Sequence, residues 1–166
     1  TFTTSSDDSS DIVITVNGTN TEIYTSIGSA SSTVTGLVQG QAYPFSAYFA
    51  EIGGGAAWSV SYEYTGQSKV VIPMSQFRST AEGLAMYVRT SGSAPANATS
   101  KQSFTTGTCI ERVRNINFLT DADFPCNTKD NFQVYATGYF VAPVTGDITF
   151  YMNSDDSSLF SINVNG

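Results

Sequence analysis

Apolar and polar residues alternate with a period of two along much of this chain. Ile12, Ile14 and Val16 share one face and run into Asn17-Gly18, a dipeptide suited to a tight turn. Tyr43, Phe45, Ala47 and Phe49 form the next face after Gln39-Gly40, and Gly53-Gly54-Gly55 breaks that run. Trp58, Val60, Tyr62 and Tyr64 alternate up to Thr65-Gly66, and Lys69–Ile72 is a short run stopped by Pro73. In the second half, Phe132, Val134 and Ala136 lead towards Gly138. Ile148, Phe150 and Met152 follow the turn Pro143–Gly146, and Phe160, Ile162 and Val164 close the series. Short period-two runs between turn residues predict an all-β fold, an antiparallel β-sandwich or barrel. No stretch holds a helical period. Ser79–Arg89 has some helical composition, but it is short and contains Gly83.

The first 18 residues return as the last 18: Thr1–Gly18 aligns without a gap on Thr149–Gly166, with 11 identities at an offset of 148. Self-similarity at that spacing points to tandem domains, not to a small-repeat solenoid. On this reading the 166 residues are a window slightly longer than one period of a longer array, opening and closing inside a domain.

Composition narrows the partners. Aromatic residues make up 13 % and charged residues also 13 %, with no histidine and a net charge of −7. Seven Lys and Arg scattered along the chain form no basic cluster, which argues against nucleic acid. No apolar run approaches the roughly 20 residues of a membrane helix, so no membrane insertion is expected in this window. Without histidine, Ser-His-Asp and Cys-His arrangements cannot be built. No glycine-rich phosphate loop followed by lysine is present, and no enzyme is expected.

Cys109 and Cys126 are the only cysteines. Their spacing suits a disulfide closing a short loop; two buried free thiols are the other reading. A disulfide favours a secreted or surface protein, and so do the sequons at Asn17 and Asn97. The segment Thr90–Ser103 is small, polar and aperiodic. It reads either as an exposed, O-glycosylated linker or as an ordinary surface loop.

Three segments carry a family likeness: Gly138–Ser158, with its Pro-x-x-Gly turn, aromatic strand and Ser-Asp-Asp-Ser-Ser; the twice-seen Asp-Asp strand ending in Val-Asn-Gly; and Gly40–Ala56, a Gly-x-x-Tyr strand leading to Glu51 and a glycine run. As a set they resemble the protective-antigen-fourteen (PA-fourteen) domain, a β-sandwich module of bacterial toxins, glycosidase inserts and yeast flocculin-type adhesins. The resemblance implies that residues 81–166 form the front half of one such domain and residues 1–80 the back half of another. Each sandwich would then be completed by the neighbouring repeat, with head-to-tail self-association into an extracellular or cell-surface filament. Val71-Ile-Pro73 resembles the family's closing strand, which puts the boundary near Gln76–Ala81.

The family's sugar-binding members hold calcium on an adjacent Asp pair joined by a cis peptide, and the ion binds sugar hydroxyls. Carried onto this chain, the candidate metal ligands are Asp7 and Asp8, their copies Asp155 and Asp156, and Glu51 just before the glycine run. Neighbouring carboxylates supply the hard oxygens that Ca²⁺ requires. Relatives that bind sugars often carry Asn where this chain has Glu51, and Gly where it has Ser9. Against the metal reading stands a plain one, in which the Asp pair accepts backbone N–H bonds and caps a turn. Trp58 and the tyrosines are similarly two-sided: sugar-stacking faces, or core positions of a sandwich strand. A calcium-dependent glycan-binding adhesin is thus the alternative to the structural filament. The accessory place of the domain in glycosidases again argues against catalysis.

Overall fold

The structure is a computed structural model that describes residues 4–5, 12–13, 20–25, 28–78, 84–90 and 108–164. The described elements are strands and single turns of 3-10 helix. The strands are β1 (Thr4–Ser5), β2 (Ile12–Val13), β3 (Asn20–Thr25), β4 (Gly28–Leu37), β5 (Ala42–Glu51), β6 (Ala57–Tyr64) and β7 (Gln67–Val71). They continue with β8 (Phe77–Arg78), β9 (Leu84–Thr90), β10 (Thr108–Val113), β11 (Asn117–Phe118), β12 (Phe132–Val141), β13 (Gly146–Asp155) and β14 (Ser157–Asn163).

Two antiparallel sheets pack as a sandwich. The six-stranded sheet runs β1-β4-β13-β6-β11, with β7 also on β6; the eight-stranded sheet runs β10-β9-β12-β5-β14-β3-β2, with β8 also on β12. The period-two pattern accounts for what lies between them. Phe45 and Phe49 of β5, Trp58 and Val60 of β6, Phe132 and Phe140 of β12, Phe150 of β13 and Phe160 of β14 all face the shared core. Their rings interlock, with Phe150–Phe160 centroids 5.4 Å apart, Phe45–Phe160 5.8 Å and Phe49–Trp58 5.5 Å. Such offset and tilted pairs add to the burial of large apolar surfaces. Trp58 is therefore a core residue, and its alternation with polar neighbours was the correct guide.

The sequence reading gives the halves 1–80 and 81–166 to two different sandwiches. In the structure they close on each other. β13 inserts between β4 and β6, β14 between β5 and β3, and β12 pairs with β5 over ten residues from Phe132↔Glu51 to Val141↔Ala42. The sandwich described here thus draws its strands from both halves of the chain.

At the boundary, β8 and β9 lie end to end along one edge of β12, opposite Tyr139–Phe140 and Phe132–Thr137 respectively. Gly138 sits where one gives way to the other. A Cβ there would come within 2.8 Å of the Arg78 carbonyl oxygen, so the close approach requires glycine. The region of helical composition holds β9, whose Leu84, Met86 and Val88 are buried in alternation.

Candidate functional site

Three loops meet at one end of the sandwich: the glycine loop 52–56 after β5, the turn 155–157 joining β13 to β14, and the segment 119–131 between β11 and β12. The strand registers bring them together. Glu51 stands opposite Phe132, Ala50 opposite Ser157, and Ala57 opposite Asp155.

Carboxylates from the second and third loops hold the first. Ile52 N–H donates to Asp156 Oδ2 at 2.6 Å and Ala56 N–H to Asp121 Oδ1 at 2.6 Å, so each end of the glycine loop hangs from one acid. Gly54, at φ +114, turns its N–H towards Asp130 Oδ1 at 3.4 Å. A residue with a Cβ rarely adopts that backbone conformation, which accounts for glycine at position 54.

The β13–β14 turn is pinned from beneath by serines. Ser154 Oγ donates to the Asp156 carbonyl at 2.8 Å, and Ser158 Oγ donates to Ser154 Oγ at 2.8 Å, both side chains being buried. With the turn held this way, Asp155 is exposed. Asp156 accepts a backbone N–H, and that N–H comes from Ile52 at the start of the glycine loop.

Glu51 sits at the centre of this end. It is 1 % exposed, and neither carboxylate oxygen has a hydrogen-bond partner. Burial, followed by the negative charges of Asp156, Asp155 and Asp121, lifts its pKa from 4.5 to about 8. The Gly53 N–H opposes this weakly without making a full hydrogen bond. A buried carboxyl with no donors and three acids nearby is costly when ionised. Hard cations relieve that cost, so the donor chemistry fits calcium. Among the described residues, however, no three of these acids bring their oxygens within 4.8 Å of one another. A cation would have to draw them inward.

The remaining sequence candidates fall in different places. Asp7, Asp8, Asn17 and Asn97 lie outside the described residues. Asp155, Asp156 and Glu51 come together as described, though the Asp155–Asp156 peptide is trans, as is every other described one. Cys109 and Cys126 are joined in a disulfide. They gather with Glu111, whose Oε1 accepts the Cys126 N–H at 2.9 Å, but disulfide sulfurs offer no thiolate to a metal. Sequence reasoning missed Asp121, which the disulfide loop delivers to the site; the pair of acids in Thr120-Asp-Ala-Asp123 was its only signal.

A second cavity lies at the far end of the sandwich, about 550 Å³ and lined by Glu63, Tyr64, Gln67, Asp147 and Thr149 among others. Three of its polar groups are already engaged: Glu63 accepts from Tyr151 Oη, Gln67 Nε2 donates to the Ser68 carbonyl at 2.9 Å, and Thr149 Oγ1 shares a hydrogen bond with Thr33 Oγ1 at 2.8 Å. Size favours this cleft, but unmet chemistry favours the Glu51 end. No helix among the described residues is long and apolar enough to cross a membrane. No curated protein and no solved structure matches the chain. The profile of the PA14 domain matches residues 81–165, just over half of its 166 residues.

Proposed function

The chain belongs to the PA14 domain family, and from that premise we propose that it is an extracellular adhesive module whose acidic end takes calcium and, through it, glycan hydroxyls. The observation that carries this reading is Glu51, buried and without a hydrogen-bond partner beside Asp121, Asp155 and Asp156. Glu51 and the exposed Asp155 are the first ligands, with Asp156 and carbonyls of the glycine loop completing the shell. The ion supplies the charge that neutral sugars need for tight, oriented contact; the chain supplies the oxygens and a rigid sandwich to hold them.

Calorimetry with Ca²⁺ at pH 8 tests it directly. Saturable heat in the wild type that disappears in Glu51→Gln supports the site, whereas equal behaviour of the two proteins removes it. A glycan array in calcium and in chelator then tests the sugar.

A second reading rests on the 148-residue repeat: a structural unit of a tandem array forming a surface filament, coated with glycans at Asn17 and Asn97. The two are compatible, because an array of weak sites gains avidity. The Cys109–Cys126 disulfide supports an oxidising, extracellular setting for both.

A further inference from the structure

The outer face of the larger sheet carries a row of phenol rings. Phe49 of β5, Val134 of β12 and Val88 of β9 point into the shared core, so their neighbours along each strand point away from it. Tyr48, Tyr135 and Tyr87 hold those outward positions, and the registers set them in one line. Tyr48 stands directly opposite Tyr135, and Tyr135 directly opposite Tyr87. Tyr48 and Tyr135 stack with ring centroids 4.6 Å apart and planes inclined by 24°; Tyr87 follows Tyr135 at 6.0 Å and 31°. All three are half-buried. Neither the acidic end nor the far cleft draws on this row.

Direct opposition fixes more than the ring distance. Facing residues of an antiparallel pair have Cβ atoms about 4.5–5.5 Å apart, so both rings pivot from neighbouring roots. The ortho carbons beside each hydroxyl then sweep the same space, which is what carbon–carbon coupling of two phenols needs. Two other tyrosine sites show the contrast. The Tyr62 and Tyr64 rings also stack, at 5.7 Å and 11°, but they lie two residues apart on one strand, and Tyr62 is only 4 % exposed. Tyr139, on the same face of β12 as Tyr135, is 48 % exposed and touches no other ring among the described residues. Only the row combines access with a partner across the strands.

We propose that Tyr48 and Tyr135 form an oxidative cross-linking site, coupled into dityrosine by a peroxidase using hydrogen peroxide. Each phenol gives up one electron and its hydroxyl proton, and these two electrons and two protons reduce one peroxide to two waters. The two radicals join through one ortho carbon of each ring. The hydrogens on those carbons then move to the oxygens, which restores both phenols. Holding the partners face to face makes the step unimolecular, so coupling within one chain outruns coupling between chains. The bond ties β5 to β12 and thus one half of the chain to the other. It closes the loop from 48 to 135, far longer than the 17-residue separation of the cysteines, and a longer closed loop restrains the unfolded chain more. The site is independent of calcium and shares with the function proposed above only an oxidising setting.

The test treats the full chain with a haem peroxidase and hydrogen peroxide, then reads intact mass, dityrosine fluorescence and a peptide map. The expected main product is a monomer lighter by two hydrogens, with the peptides of Tyr48 and Tyr135 linked and a yield per chain that does not change on dilution. Tyr135→Phe keeps the ring and its stacking but loses the phenol, and it is expected to abolish the product within the chain. Tyr139→Phe is expected to leave the yield as in the wild type. Circular dichroism spectra matching the wild type show that both variants are folded. A main product that links separate molecules, a map without the Tyr48–Tyr135 link, or a product within the chain that persists in Tyr135→Phe overturns the proposal.

Discussion

Glu51, the last residue of β5, and Asp123 are two carboxylates at one end of the sandwich, and their surroundings push them in opposite directions. Asp123 is exposed, and its Oδ2 accepts from Leu119 N–H at 3.0 Å, Thr120 N–H at 2.9 Å and Thr120 Oγ1 at 3.1 Å. Those donors, led by the Leu119 N–H, hold its pKa below the ordinary carboxylate value. Glu51 makes no full hydrogen bond and has three acids around it, and its pKa rises to about 8. One acid is satisfied by the fold; the other is left over by it. The contrast teaches where to look for a ligand, because a fold that spends no N–H group on a buried carboxyl leaves it to something else.

The comparison is broken most severely by reducing Cys109–Cys126. The disulfide encloses the loop that carries Asp121 and Asp123. Its loss is expected to cost about 3 kcal/mol and to lower the melting temperature measured with and without reductant. Glu51 loses one of its acidic neighbours in the process, and calcium heat should fall with it.

Calcium is the next largest effect. At about 100 times its dissociation constant, the ion should stabilise the wild type by about 2.7 kcal/mol at pH 8 and leave Glu51→Gln unchanged in the same denaturant titration.

The pH dependence sharpens the contrast further. Glu51 binds its proton more tightly folded than unfolded. The stability this confers is complete below pH 4.5 and is lost as pH rises through about 8. In chelator, the loss across that window is roughly 2 kcal/mol once solvent screening is discounted. Glu51→Gln should flatten the profile, so that the variant matches the wild type at pH 5 and exceeds it at pH 9. Asp123 has the opposite sign: its depressed pKa stabilises above the unfolded value, and the contribution fades as pH falls into the acid range. Asp123→Asn should therefore lower the melting temperature slightly at pH 7 and not at all in strong acid. A Glu51→Gln profile with the wild type's slope would remove Glu51 as the group responsible.

Much of the sandwich was legible in the chain, and the reasons are local. β5, β6, β12 and β13 keep large buried apolar residues at alternate positions over most of their length, so period two named them. β3 and β4 escaped. The runs Asn20–Thr25 and Gly28–Leu37 are rich in Ser and Thr, and their buried Ile23, Ala30, Val34 and Leu37 are too sparse to mark a face. β9 hid behind a helix-like composition, and tertiary pairing with β12 decided it. At the site, Glu51 and the Asp pair were legible through the family likeness. Asp121 was not, because nothing in a sequence says that a disulfide loop will reach back to a glycine loop 65 residues earlier. The closure of the two halves on each other was also illegible, since the order of segments constrains pairing so little.

The interleaving of strands has a kinetic consequence. In the smaller sheet β13 lies between β4 and β6, and in the larger sheet β12 and β14 flank β5. Residues 20–78 therefore contain the middle of neither sheet as a self-sufficient unit. A chain emerging from the ribosome carries Tyr43, Phe45 and Phe49 unpaired until residues 132–162 follow, and Trp58 until Phe118 does. Such long-range pairing makes for slow folding with late collapse of the aromatic core. In that interval the first half depends on whatever shields apolar surface in the compartment where it is made.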